Sequence, residues 1–392
     1  MKRKLFLGLA ALAALTVTSC QKDLVINQLP DEQPIEFGTY VGRDAQTKAS
    51  ETDLTAMQNA NYPGFGVYAY YTDGSYVAST TTETVDDDET TTYASPANFM
   101  SNQKVQYESS SWGYTPLKYW PALGGTDTKQ LKFIAYAPYY DGTTATENIK
   151  SVSSYTTTGT GESAVATPHA GDPMLSFTVA DKVEKQIDLL YASSEAITTK
   201  PNDNTVELNF KHALSRIGFA AAADNTNNKI TINSITLEGK FNTSGTMNMN
   251  GGEFPSVTSA KTTYSVSFTN SSNKSVEGTT SNAIIPDENY IMIIPKVFGN
   301  PTGYTGTINT DKITITVNYD IEVKDNNLAT GYAPRITQEK VGYIQDINFE
   351  KGKAYKISMV ISPQDPIIFK ASVTNWDENT PPISVSIPST NN

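Results

Sequence analysis

The sequence predicts an all-β protein built as β-sandwiches, and three observations carry that reading. Apolar and polar residues alternate at period 2 along much of the chain, helix-period stretches are scarce, and Asp-Gly and Pro-containing turns punctuate the alternation. Alternating side chains line opposite faces of a strand, so many short runs between turns call for sheets packed face to face. A single cysteine among 392 residues adds a constraint. No disulfide within the chain can staple the fold, so hydrophobic cores and backbone ladders must hold it.

In chain order, Asp53–Asn59 is the one stretch with helical spacing. Phe65, Val67, Ala69 and Tyr71 then alternate up to a turn at Asp73-Gly74, and Phe133, Ala135 and Ala137 alternate before Pro138 and a second turn at Asp141-Gly142. Ile187, Leu189 and Tyr191 make a short strand. Val206, Leu208, Phe210, His212 and Leu214 share one face, but Ile217 and Phe219 lie on the other. That flip near Ser215-Arg216 requires a bulge or a passage between packing environments. Residues 283–285 and 290–294 flank Pro286-Asp287-Glu288-Asn289 and read as a hairpin. Long single-faced rows follow at Ile313–Val323, Tyr355–Ile361 and Ile367–Val373. The Thr-rich stretch 79–92 and the Ser/Thr/Gly-rich stretch 153–167 lack core-forming side chains and read as exposed loops.

The N-terminus carries a different signal. Lys2, Arg3 and Lys4 precede an apolar run from Leu5 to Val17, which is too short to cross about 30 Å of hydrocarbon. It ends in Val17-Thr18-Ser19-Cys20, the pattern of a bacterial lipoprotein signal peptide. Cleavage before Cys20 would leave its thiol to carry a diacylglycerol anchor. With 29 Lys and Arg against 41 Asp and Glu, the net charge of −12 opposes phosphate backbones and anionic headgroups. Nucleic acid is therefore not an expected partner, and the lipid rather than a basic patch is expected to hold the membrane.

Catalytic and metal-binding patterns do not assemble. Only two histidines are present: His169 in a Pro/Gly loop, and His212 on an apolar strand face, where a buried imidazole bonded to backbone is expected. No Gly-X-Ser-X-Gly elbow accompanies them, and two histidines with one lipidated cysteine do not make a zinc set. Carboxylates are numerous, yet nothing marks a glycosidase pair. The run Asp86-Asp87-Asp88-Glu89 lacks the spacing of a calcium loop. Trp112, Trp120 and Trp376 sit in strand or turn contexts that favour packing over sugar stacking. No catalytic residue, metal ligand or cofactor is expected.

Two short strands fit poorly in a closed sandwich. The first has Ile35, Phe37, Thr39 and Val41 on one face and is followed by Arg43 and Lys48. The second follows the polar break 377–382 at the C-terminus and sets Ile383, Val385 and Ile387 against Ser384 and Ser386. Each is preceded by a proline and each could fill the same groove. If a protease cut at Arg43 and the leader strand left, a hydrophobic groove with unpaired edges would open. A terminal strand from a neighbour would restore the ladder.

The stretches Phe37–Arg43 with Thr47-Lys48-Ala49, Gly64–Tyr70, Trp112–Pro121, Phe133–Pro138, Ile187–Ala192 and Phe210–Ile217 together resemble the fimbrillin-family (FimA/Mfa-like) lipoproteins of the Bacteroidales. The resemblance covers essentially the whole chain and thins between Asn225 and Gly352. It implies two transthyretin-like β-sandwich domains in tandem and a type V pilus subunit. It also implies export as a lipoprotein and removal of the leader strand by an arginine-specific protease, for which Arg43 is well placed.

The sequence therefore sets out residues 1–19 as signal peptide, 20–43 as lipidated leader, 44–200 and 201–376 as two sandwiches, and 377–392 as a donor-strand tail. The expected partners are other pilus subunits, the membrane through Cys20, the processing protease, and a host or bacterial surface ligand. The expected location is the outer membrane and cell-surface fimbria. The competing reading is a monomeric surface glycan-binding lipoprotein.

Overall fold

The computed structural model describes residues 33–41, 52–85, 88–124, 128–143, 146–153, 155–158, 165–272, 274–287, 290–376 and 383–385. Within them the chain is all β apart from a 3-10 turn at Val183–Lys185 and the short helix Leu54–Met57, whose Asp53 cap accepts from the Ala56 amide at 2.7 Å. None of these helices is long and apolar enough to cross a membrane.

Three sheets make the body. The first runs Glu36–Val41, Thr205–His212, Leu190–Ser193, Lys129–Ala137, Phe65–Asp73, Met100–Glu108, Ser111–Gly113. The second runs Ile336–Ile344, Ile313–Val323, Asn228–Asn248, Met174–Thr178, Ile149–Val152, with Ser256–Ser267 and Ser275–Glu277 also paired to Asn228–Asn248. The third runs Asn282–Ile284, Ser215–Ala223, Lys353–Ile361, Ile368–Asn375, Ile383–Val385. Pairing is antiparallel except between Glu36–Val41 and Thr205–His212, and between Ser215–Ala223 and Lys353–Ile361.

The face flip foreseen near Ser215 marks a change of sheet. Val206, Leu208 and Phe210 join one buried cluster, while Ala213, Leu214, Ile217 and Phe219 join the other. Strand Thr205–His212 lies in the first sheet, so that sheet does not stop at residue 200, and the expected division at 200/201 is corrected. Nor do the halves separate cleanly. Strand Asn228–Asn248 pairs with Ile313–Val323 along its first half, then with Met174–Thr178 at its far end. A strand from before residue 200 thus extends a sheet of the second half.

Phe65–Tyr70 is buried on both faces rather than one. Phe65, Val67 and Ala69 point into the cluster holding the leader residues, and Tyr68 and Tyr70 into the cluster with Leu175 and Phe177. A sheet covered on both faces masks the half-buried alternation that the odd-numbered residues suggested. In Ile313–Val323 the buried row stops at Ile321, and Val323 is exposed at the strand's end.

The expected hairpin around Pro286 is replaced by something else. Asn282–Ile284 and Ile291–Ile293 both pair with Ser215–Ala223, at Phe219–Ala221 and Ser215–Ile217 respectively. They are two pieces of one interrupted edge strand. The Thr-rich stretches also gain structure, as hairpins Thr81–Val85 with Asp88–Thr92 and Tyr155–Thr158 with Val165–Pro168. β-branched threonines favour extended pairing even where no core is available. Gly74 and Gly142 occupy the two Asp-Gly turns with φ of 84° and 79°, a region that glycine enters without strain.

Because Phe177 belongs to the core shared by both halves, Phe177→Ala should cost roughly 3–5 kcal/mol and lower a single unfolding transition. Calorimetry that resolved two transitions, with only the first shifted, would show that the halves fold independently.

Candidate strand-exchange site

The site is built on the leader strand Glu36–Val41. It pairs in parallel with Thr205–Phe210, Phe37 opposite Val206, Thr39 opposite Leu208 and Val41 opposite Phe210. Ile35, Phe37 and Val41 are 1%, 6% and 3% exposed, as the alternation requires. Phe37 meets Phe65, Tyr114 and Phe133 edge-on at centroid distances of 6.0, 5.5 and 6.0 Å. Such contacts contribute about 0.5–1.5 kcal/mol each beyond area burial.

The entry end of this strand is tied down by the segment that follows Ser111–Gly113. The Ile35 amide donates to Lys118 O at 2.9 Å, and Pro34 bridges Tyr119. The Glu36 amide and the Trp120 indole N–H both donate to Asn204 O, at 3.0 and 3.1 Å. The Tyr114 hydroxyl donates to Ile35 O at 2.9 Å, and burial pushes that phenol up to about 12, with the backbone at Lys118 partly opposing the shift. Sequence reasoning missed these supports, although the aromatic density of 112–120 was the signal that could have found them.

Two features weaken the middle of the strand. The Thr39 hydroxyl oxygen is buried with no hydrogen-bond partner among the described residues. Gly38 faces the other way, where a Cβ would come within 2.4 Å of the Glu207 carboxylate.

At the other terminus, Ile383–Val385 pairs antiparallel with Ile368–Asn375, Ile383 opposite Val373 and Val385 opposite Ala371. In this structure the tail strand therefore lies on the edge of its own third sheet. Cys20, Arg43 and Ile387 fall outside the described residues.

His212, the last residue of the strand that receives the leader, is buried, and its Nδ1 meets a carboxylate. Its Nδ1 lies 2.9 and 3.0 Å from the two Asp188 carboxylate oxygens, and its ring stacks on Trp376 at 3.9 Å. Asp188 also accepts from the Thr52 amide at 3.0 Å. Neighbouring Tyr62 has its phenol driven far above its usual range, chiefly by burial and then by the Asp188 charge. Arg216 lies over both Trp376 and Tyr290, at 5.3 and 4.7 Å. Asp188, Thr52, His212 and Trp376 thus bring together three places: the chain after the leader, the strand that holds it, and the root of the tail.

His169 is held in its loop, Nε2 lying 3.0 Å from Asp172 O. No cluster of three or more His, Cys, Asp or Glu that could hold a metal occurs among the described residues. Trp112 packs on Phe65 and Tyr107, Trp120 is tied to Asn204, and Trp376 is 2% exposed, so all three tryptophans are engaged in packing.

Residues 47–376 match the fimbrillin-like family, and the chain belongs to it. Over 214 residues it is 30% identical to fimbrium subunit Fim1C of Phocaeicola vulgatus, an alignment covering 53% of this chain and 49% of that one. The chain therefore spans about half the length of the curated relative it matches. A fimbrial protein from Bacteroides vulgatus superposes with a TM-score of 0.61 at 21% identity, over 88% of this chain and 99% of that one, which shows the shared β-sandwich fold. A fimbrial assembly protein from Parabacteroides distasonis aligns over 92% of this chain and 99% of that one, at 8% identity and a TM-score of 0.33.

Two outcomes test this site. A folded-state phenol raised from 10.0 to about 12 stabilises fully below pH 10 and loses its contribution as pH climbs through 12. Leader docking in the wild type should therefore weaken across that window, and Tyr114→Phe should flatten the loss, as read by protease access to residues 33–41 against pH. His212→Ala should destabilise the protein by roughly 3–5 kcal/mol, because it strands a buried carboxylate. Denaturant unfolding showing a loss below about 1 kcal/mol would mean that Asp188 is satisfied without the imidazole.

Proposed function

We propose that this chain is a structural and adhesive subunit of a cell-surface fimbria that assembles by strand exchange. In this reading Cys20 anchors the precursor to the outer membrane, and an arginine-specific protease cuts after Arg43. The leader strand then leaves, and Ile383, Val385 and Ile387 of a second subunit fill the groove left by Ile35, Phe37 and Val41. The observation that carries the reading is the seating of the leader. It is a core strand by burial, yet it reaches the rest of the first sheet through the single ladder to Thr205–Phe210 and precedes the cut site directly.

Polarity supports it further. The leader runs parallel to Thr205–His212, so a replacement with the same inward row enters at the Asn204 end. Residues 383–385 lie on the edge of their own third sheet, so donation of this strand requires it to leave that sheet, and self-pairing competes with polymerisation.

That same self-pairing favours a second reading, in which the tail stays on its own chain and the subunit terminates a fimbria by donating nothing. A monomeric glycan binder is less favoured, because its tryptophan platforms are occupied by packing. A ligand at a host or bacterial surface is part of the proposal.

Three variants separate the readings. Truncation after Thr380 should give a folded, exported, processed monomer without SDS-resistant ladders, and Val385→Asp should act alike because a charge opposes burial. Arg43→Ala should also abolish ladders, but with the leader retained on the mature protein. Ladders formed by the truncated, processed chain would refute donation by the tail.

A further inference from the structure

We infer that Thr39 is the residue that keeps the leader strand displaceable. It marks the point at which the leader is a deliberately poorer filling than the tail that would replace it. The inference rests on the strand-exchange reading and adds to it a residue that sets the direction of exchange.

The inward row of the leader is Ile35, Phe37, Thr39 and Val41, and the third position breaks an otherwise apolar face. Its hydroxyl oxygen is shut away from solvent and has no partner among the described residues. Facing it across the parallel ladder is Leu208, fully buried, and the flanking Val206 and Phe210 are buried as well. A hydroxyl moved from water into such a place loses its hydrogen bonds and regains none. Threonine and valine have nearly the same shape and similar strand preference, so valine would fill the position without that penalty. The outward neighbour contributes little compensation, since Gly38 has no side chain to lay on the sheet.

The tail lacks this defect. Its inward row, Ile383, Val385 and Ile387, is aliphatic throughout. If Ile383 takes the place of Phe37, Val385 falls at the position of Thr39 and Ile387 at that of Val41. Exchange then swaps an unpaired hydroxyl for a buried aliphatic group, so the groove prefers the tail once the covalent link to the leader is cut. Before the cut the link holds the leader at high effective concentration, and the defect is tolerated.

The test follows leader release from the full chain, nicked between Val41 and Thr52 by trypsin, which can cut at Arg43 and Lys48. Retention of the leader fragment is read by native mass spectrometry, with and without a synthetic peptide of residues 381–392. Thr39→Val should slow release roughly tenfold to a hundredfold and raise the melting temperature of the uncut chain. Thr39→Ser, which keeps the hydroxyl and loses a methyl, should release the leader as fast as wild type or faster. Release of Thr39→Val at the wild-type rate, or an uncut Thr39→Val chain that melts lower than wild type, would overturn the assignment. The strand-exchange reading fails separately, if wild type frees its leader but neither the peptide nor a second copy enters the groove.

Discussion

The single ladder between Glu36–Val41 and Thr205–Phe210 governs the first half of the molecule. It closes a cluster of phenylalanines and aliphatic residues that the rest of the first sheet leaves open along one side. Three inward apolar side chains of the leader contribute roughly 1.5–3 kcal/mol each when fully buried, before the entropy of ordering the strand is subtracted. Removing that strand would bare Leu208 and Phe210 together with a row of unpaired backbone groups, and both costs are met by any strand with the same period-2 row.

The second half has the complementary problem. Its third sheet ends at Ile368–Asn375, and the tail covers that edge in this structure. On the proposed strand exchange, one short strand has two claims on it, the edge of its own sheet and the groove of another subunit. The first is intramolecular and lays the tail along an edge. The second would enclose its inward row among Phe65, Phe133 and Phe210. Enclosure among those rings would favour the groove, while proximity favours the edge. The buried Asp188–His212–Trp376 assembly fixes the root from which the tail departs, so choice between the two is confined to residues after Trp376.

Much of this was legible in the residues. The inward row of the leader, the alternation of the second half and the passage between environments near Ser215 all follow from period-2 patterning, because a side chain's face is fixed by its parity. What escaped was non-local. Whether Phe65–Tyr70 is covered on one face or two depends on where Met174–Thr178 packs, which no local pattern reports. Residues 283–294 have the turn and flanks of a hairpin, yet both flanks found the same partner, because Ser215–Ala223 offered an apolar edge long enough for two pieces. His212 was recognised as buried, but its partner Asp188 stands in another strand connection and carries no spacing signal. The segment Lys118–Trp120 was likewise visible as aromatic and not as the clasp on the leader.

The central claim is that the tail fills, in another chain, the place the leader leaves. With Leu208→Cys placed in the groove and Val385→Cys in the tail, oxidation after processing reads the partner directly, because in this account the native Cys20 carries lipid and departs with the leader. The account predicts a disulfide between chains, building a ladder that disappears when Arg43→Ala keeps the leader in place. A tail thiol that links only to Ala371→Cys of its own chain, before and after leader removal, would contradict it.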